Sequence, residues 1–176
     1  AEVFKQLTDS LKISKVTEVD FSSCGIGPVA LGHLSDWVRD ATGAVASLCC
    51  ANNPGMVGEL DRYGDLTPDV HAEVFKQLTD SLKMSKVTEV DFSSCGIGPV
   101  ALGHLSDWVR DAIGAVARLS LSGNFITGSK EKDYAGSGRW EYDKDLSGLI
   151  ALCDAILTLK NTIELDLSNC GLSVNG

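Results

Sequence analysis

The sequence predicts an α/β fold of stacked repeats, in which short parallel strands alternate with helices. Residues 1–48 recur as residues 72–119, and the two copies differ at only three positions, 13/84, 42/113 and 47/118. In addition, five segments share one spacing of apolar residues and a Cys or Asn near their end. A fixed period combined with such a pattern is typical of proteins whose repeats stack side by side.

The five segments follow the pattern L-x-x-L-x-L-x-x-N/C-x-L, in which L stands for an apolar residue. They span residues 16–26, 45–55, 87–97, 116–126 and 162–172, and 23 of the 25 pattern positions match. After each predicted strand the backbone turns inward, and a small polar side chain can bond its amides. This position alternates along the chain: Cys24, Asn53, Cys95, Asn124 and Cys170.

The alternation resembles the ribonuclease-inhibitor class of leucine-rich repeat proteins. The resemblance implies a horseshoe-shaped solenoid of five repeats of Cys and Asn type, with strands on its concave face and helices on its convex face. Two of the Cys/Asn spacings are 29 residues, whereas the other two are 42 and 46, which indicates insertions at 54–66 and 127–145. We expect residues 1–176 to form a single domain that is a fragment of a longer repeat array, and both insertions to be exposed loops.

Apolar residues at helical spacing predict the outer elements. Pro suits the first helical turn, and Gly is a common stop. The predicted helices run from Pro28 to Gly43, from Pro99 to Gly114, from the Thr67-Pro68 cap to Leu82, from Leu146 to Leu159, and over residues 1–12.

Composition excludes several classes of function. The formal net charge of −9 argues against nucleic acid and against an anionic membrane surface. The longest apolar runs are too short for a membrane span, and no phosphate-binding glycine loop, zinc pair or catalytic constellation is apparent, so we expect neither a cofactor nor catalysis. Three of the six cysteines recur at one repeat position, which favours packing over disulfides and a reducing, cytoplasmic location.

The predicted concave face is acidic. Residues between the apolar positions of each strand point toward this face, and strands one, three and five each present two acids there. Acids on alternate strands lie ~10 Å apart, so their mutual repulsion is tolerable and a basic protein partner could bind. The alternative is a solvated surface made acidic by the copying of one repeat. The candidate residues are Glu18, Asp20, Glu89, Asp91, Glu164 and Asp166, with Arg118 on strand four.

The second insertion offers a different binding surface. Trp140 and Tyr142 lie there with Tyr134 and Arg139, and such residues are common binding hot spots. The alternative is that Trp140 folds down to cover the edge of the repeats.

A calcium site is a further hypothesis for the end of this insertion. Asp143, Asp145, Ser147, Gly148 and Asp154 occupy positions 1, 3, 5, 6 and 12 of an EF-hand-like loop. Against it, the residues from Leu146 onward look helical, and acids are expected in a first helical turn.

We therefore predict a protein–protein interaction module whose partner the sequence does not name. One alternative, by analogy of fold, is a regulator of a small GTPase such as the Ran GTPase-activating proteins, which stimulation of GTP hydrolysis would reveal. Another is a structural scaffold segment that self-associates through its uncapped ends.

Overall fold

The computed structural model describes residues 2–41, 45–113, 115–131 and 140–173, without the side chains of residues 130, 131, 140 and 141. These residues form five helices and nine short strands. In chain order they are α1 (Glu2–Leu11), β1 (Glu18–Asp20), α2 (Pro28–Asp40), β2 (Ser47–Cys49), β3 (Glu59–Leu60), β4 (Leu66–Thr67), α3 (Ala72–Lys83), β5 (Glu89–Asp91), α4 (Pro99–Asp111), β6 (Arg118–Ser120), β7 (Lys130–Glu131), β8 (Trp140–Glu141), α5 (Ser147–Thr158) and β9 (Glu164–Asp166).

The five predicted repeat strands form one parallel sheet in the order β1-β2-β5-β6-β9. Each step along the sheet crosses over through one helix, as parallel pairing requires. The middle residues of the strands pair in a single row, so that Leu48 and Leu119 lie between Val19, Val90 and Leu165. Leu48 and Leu119 are fully buried in the core beneath the helices. The helices therefore cover one face of the sheet, and the other face is open.

The side chains of the buried asparagines form hydrogen bonds with the backbone of neighbouring repeats, as the repeat pattern predicts. Asn124 accepts hydrogen bonds from the amides of Cys95 and Ile97, both at 3.0 Å, and donates to the carbonyls of Phe92 and Leu121, both at 2.8 Å. Asn53 makes the equivalent bonds toward β1, where it accepts from the Ile26 amide at 2.9 Å and donates to the Phe21 carbonyl at 3.0 Å.

The cysteines at the equivalent positions also bond to neighbouring repeats, but through weaker thiol hydrogen bonds. The Cys95 thiol donates to the Cys50 carbonyl at 3.0 Å, and the Cys170 thiol donates to the Leu121 carbonyl at 3.1 Å. Cys24 departs from the expected packing because it is exposed, although it has the same local sequence as the fully buried Cys95. The reason is its place in the turn after β1, since β1 is the outermost strand of the sheet in the described residues. All six cysteines are free.

The predicted start of α3 is wrong. The helix begins at Ala72, and Thr67 instead pairs with Glu59 in the antiparallel β3–β4 hairpin. Asp69, which follows Pro68, caps a different helix. Its carboxylate accepts hydrogen bonds from the amides of Gly98, Val100 and Ala101 at 2.8–3.1 Å, and so satisfies the first turn of α4.

The insertions are also less exposed than predicted. Met56 and Val57 are fully buried, because the Val57 amide donates to the Cys95 carbonyl at 3.1 Å and this segment packs against the next turn. A Cβ on Gly96 would lie 2.5 Å from the Gly58 nitrogen, so this contact requires glycine. In the second insertion, Thr127 and Ser129 are buried.

The backbone of helix α5 packs directly against α4 at Gly148. A Cβ on Gly148 would lie 2.2 Å from the Pro99 carbonyl oxygen and 3.0 Å from the Leu102 Cβ. Glycine at this position therefore lets the α5 backbone contact the first turn of α4 directly. None of the helices in the described part of the chain has the length and apolar character to cross a bilayer.

Candidate functional site

The strand register places the candidate acids in two straight rows on the open face of the sheet. An open concavity of about 570 Å³ lies over these rows between β2 and β9, so we call this the concave face. The first row is Glu18, Ser47, Glu89, Arg118 and Glu164, and the second is Asp20, Cys49, Asp91, Ser120 and Asp166.

The aspartates of the second row also end their strands. One carboxylate oxygen of each accepts a hydrogen bond from the amide two residues later, at 2.8–2.9 Å, in the pairs Asp20–Ser22, Asp91–Ser93 and Asp166–Ser168. Such a turn holds the backbone where it leaves the sheet. Part of the acidity of this face therefore has a structural origin.

These turns also keep the carboxylates ionised. Hydrogen bonds from the Ser22 side chain and amide lower the pKa of Asp20. The Ser168 amide and hydroxyl lower the pKa of Asp166 in the same way. Both groups therefore stay negative throughout the physiological range.

Arg118 neutralises negative charge at only one end of the concave face. Its guanidinium lies 3.2 Å from the Glu164 carboxylate, and both side chains are well exposed, so the pair adds little stability. Among the described residues, Glu18, Asp20, Glu89 and Asp91 take part in no ion pair. The uncompensated charge is therefore concentrated over β1 and β5, on either side of β2.

Cys49 lies in the second row between Asp20 and Asp91. Burial first, and then these two carboxylates, raise the pKa of the Cys49 thiol. The neighbouring Cys50 points into the core, where burial raises its pKa well above the ordinary value. Both thiols are protonated at neutral pH, and a protonated thiol is a poor nucleophile.

Tyr142 lies away from the two acidic rows. The residue is 52% exposed, and it borders a pocket of about 330 Å³ formed by residues that follow β6 and β9, including Phe125 and Asn169. The backbone of Trp140 lies in β8, but its side chain is outside the described residues, as are Tyr134 and Arg139. The structure therefore brings the six acids and Arg118 together but not Tyr142.

The first insertion carries an exposed aromatic group that sequence reasoning missed. Tyr63 at the tip of the β3–β4 hairpin is 73% exposed, and the Arg62 guanidinium lies 4.5 Å from its ring centre. Asp61 holds the tip by accepting hydrogen bonds from the amides of Tyr63 and Asp65 at 2.7 and 3.0 Å. The D-R-Y-G-D sequence is the signal that could have revealed this turn.

The calcium hypothesis gains no support from the geometry. Asp145 accepts a hydrogen bond from the Ser147 amide at 2.9 Å at the start of α5, and Ser173 donates to Asp143. Asp154 lies inside α5. In the portion of the chain that is described, no group of three or more His, Cys, Asp or Glu residues could hold a metal ion.

Comparison with known proteins agrees with the repeat pattern. Residues 83–105 match the leucine-rich repeat family model. The matched stretch runs from the end of α3 through β5 and its turn into α4, which is one strand-and-helix unit. This match and the parallel sheet support a leucine-rich repeat protein. The comparison with curated proteins finds no match.

Proposed function

We propose that the chain forms a solenoid of five leucine-rich repeats of the ribonuclease-inhibitor class, alternating between Cys and Asn types. The alternation of hydrogen bonds supports this proposal. Asn53 and Asn124 each bond the preceding turn through several groups, whereas Cys95 and Cys170 each donate one thiol bond.

We further propose that this chain is a non-catalytic protein-binding module whose concave face takes a basic segment of a partner protein. Leucine-rich repeat domains generally mediate protein–protein interaction. The observation that carries the proposal is the strand register, which aligns Glu18, Glu89 and Glu164 in one row and Asp20, Asp91 and Asp166 in the other.

The spacing of these rows suits an extended basic segment that crosses the strands. Acids on β1 and β5 are two strands apart, or ~10 Å, which is about three residues of extended chain. The small side chains of Ser47 and Cys49 lie between them and leave room for a lysine or arginine. Because Arg118 pairs with Glu164, we expect the strongest attraction over β1, β2 and β5.

Exposed aromatic residues provide a second part of the proposed interface. Tyr142 and Tyr63 both lie beyond the ends at which the strands leave the sheet, and they could contact a partner that extends past the concave face. Trp140 stays a candidate for the same role. The six free cysteines support a reducing compartment.

The test is a fluorescence-anisotropy titration with a fluorescein-labelled (Lys-Leu-Ser)₄ peptide. In the triple variant Asp20→Asn, Asp91→Asn and Asp166→Asn, the amide oxygens can still accept the strand-ending hydrogen bonds while the charges are gone. The matched control Asp36→Asn, Asp107→Asn and Asp154→Asn changes the net charge equally, on the helices. We expect roughly tenfold weaker binding for the first variant, from three exposed charge pairs.

Equal loss in both variants would show a bulk charge effect and would contradict the proposal, as would unchanged binding. The pH dependence provides a second check. Because the pKa values of Asp20 and Asp166 are lowered, the affinity should hold from about pH 8 down to about pH 5 and fall only as these carboxylates protonate. Affinity capture from a lysate with the same three proteins would then identify the partner.

A further inference from the structure

The strand-entry rim is the edge of the sheet where the helices end and the strands begin. Positions that distinguish the two 48-residue copies lie along this rim: 13/84 and 113 in the loops, and 47/118 at the first residue of a strand, while residue 42 is outside the described residues. Ile13, Met84 and Ile113 are 85%, 73% and 67% exposed, respectively. Three large apolar side chains therefore protrude into solvent from separate loops at one edge.

The loop that presents each apolar residue is held in a defined shape. The Ser85 hydroxyl donates to the Leu82 carbonyl at 2.9 Å and accepts from the Val87 amide at 3.1 Å. Ser14 makes the same two contacts in the first copy, at 2.9 and 3.3 Å. These bonds draw Leu82 and Val87 inward, so that Met84 and Lys86 between them point outward. Ile13 and Lys15 take the same places in the first copy.

The exposed residues of successive loops are neighbours. The turns that precede β1 and β5 lie two strands apart, or ~10 Å. The Ile113 amide donates to the Lys83 carbonyl at 3.1 Å, which brings Ile113 beside Met84. A groove of about 230 Å³ lies between Met84 and Val87 on one side and Ala41 and Val45 on the other. Trp37 and Val38 also line the groove, together with Arg39 and Lys86, so its lining is both apolar and basic, and its volume suits one aliphatic side chain.

The rim presents exposed lysines although the chain as a whole is acidic. Lys12 and Lys83 are held by ion pairs, at 3.1 Å to Asp9 and Asp80 and at 3.3 and 3.8 Å to Asp40 and Asp111, respectively. In contrast, Lys15, Lys86 and Lys160 are exposed and take part in no ion pair within the described residues. The rim therefore alternates unpaired lysines with exposed aliphatic side chains.

We propose that the strand-entry rim binds an acidic, aliphatic-rich segment of a partner protein, which runs along the edge of the sheet. Its carboxylates would pair with Lys15 and Lys86, and one aliphatic side chain would enter the groove beside Met84. Acids at every third residue of an extended segment recur every ~10 Å, which matches the spacing of these two lysines. This surface adjoins the concave face at the first residues of the strands, but it needs a partner segment of the opposite charge.

An anionic bilayer fits this rim less well than a single segment does. A flat membrane senses every charge within about one Debye length, ~8–10 Å at moderate salt. Glu18 and Glu89 begin their strands only three residues after Lys15 and Lys86, so a bilayer would be repelled by them. A narrow segment that follows the lysines avoids most of this repulsion.

The experiment is an anisotropy titration of a fluorescein-labelled (Glu-Leu-Ser)₄ peptide at low salt with the full chain. Lys15→Glu with Lys86→Glu should weaken binding roughly tenfold, because two attractions become repulsions. Met84→Ser should weaken it by a similar factor, through loss of buried apolar area. The matched charge control is Arg62→Glu with Lys144→Glu, away from the rim, which should bind within about twofold of the parent.

Several outcomes would overturn the proposal. They are unchanged binding by the Lys15/Lys86 variant, equal loss in the control, and no binding of the acidic peptide by the parent. Sedimentation with phosphatidylcholine vesicles containing about one third phosphatidylserine covers the lipid alternative. Vesicle binding without peptide binding would replace the protein segment by a membrane. Lys15→Gln with Lys86→Gln should give an intermediate loss, and far-UV circular dichroism verifies folding. The (Lys-Leu-Ser)₄ titration separates this result from that of the concave face.

Discussion

Replacing Asn124 with alanine should cost more stability than any comparable change at a cysteine position. The side chain is 2% exposed and makes four hydrogen bonds, two to amides and two to carbonyls, all between 2.8 and 3.0 Å. Alanine would leave the Cys95 and Ile97 amides and the Phe92 carbonyl without partners, whereas the Leu121 carbonyl would keep the Cys170 thiol. At about 1 kcal/mol for each of the three unsatisfied groups, the free energy of unfolding falls by about 3 kcal/mol. That is a large share of the roughly 5–15 kcal/mol that stabilises a typical domain.

Urea denaturation followed by circular dichroism measures this loss. With an m-value of about 2 kcal/mol/M, a loss of about 3 kcal/mol lowers the midpoint by about 1.5 M. Cys95→Ala is the matched control, because it removes one thiol bond and little volume at the equivalent position and should cost only about 1 kcal/mol. A midpoint for Asn124→Ala equal to that of Cys95→Ala would refute the reasoning, since it would mean that the three backbone groups find other partners.

Three further predictions concern contacts that the fold creates. Gly148→Ala should destabilise the chain by about 1–3 kcal/mol in thermal unfolding, because the new Cβ would collide with the Pro99 carbonyl. Asp69→Ala should cost about 1–2 kcal/mol by uncapping α4, and Asp69→Asn should recover part of this loss. Iodoacetamide near pH 8 should modify the exposed Cys24 but not Cys95, because burial raises the pKa of the Cys95 thiol to about 12; rapid labelling of Cys95, detected by mass spectrometry, would show that this turn opens.

The repeat pattern alone was enough to locate the strands and most helices. The starts of α2 and α4 at Pro28 and Pro99 agree with the prediction, because proline at the first helical position is a local preference. The start of α3 could not be found in this way. Asp69 caps a helix that begins 30 residues later in the chain, and no local pattern indicates such a partner.

The acids of the concave face could be predicted from the sequence, whereas the strand-entry rim could not. Alternation along each strand placed the acids on one side, and the parallel register then aligned them in rows. The net charge did not indicate the unpaired lysines of the strand-entry rim. The net charge of −9 averages over the whole surface, whereas the fold directs the helix ends and lysines such as Lys15 and Lys86 to one edge.

The duplicated segments distinguish most clearly the effects of the sequence from those of the tertiary structure. The sequence by itself determined that both copies form a helix, a strand and a second helix, because apolar spacing and local turn residues act within each copy. Only the tertiary structure decided that Cys95 is fully buried while Cys24 is exposed, and that Leu78 is fully buried while Leu7 is 45% exposed. The residues are the same, but burial depends on the neighbours, and β1 and α1 lie at the edge of the stack.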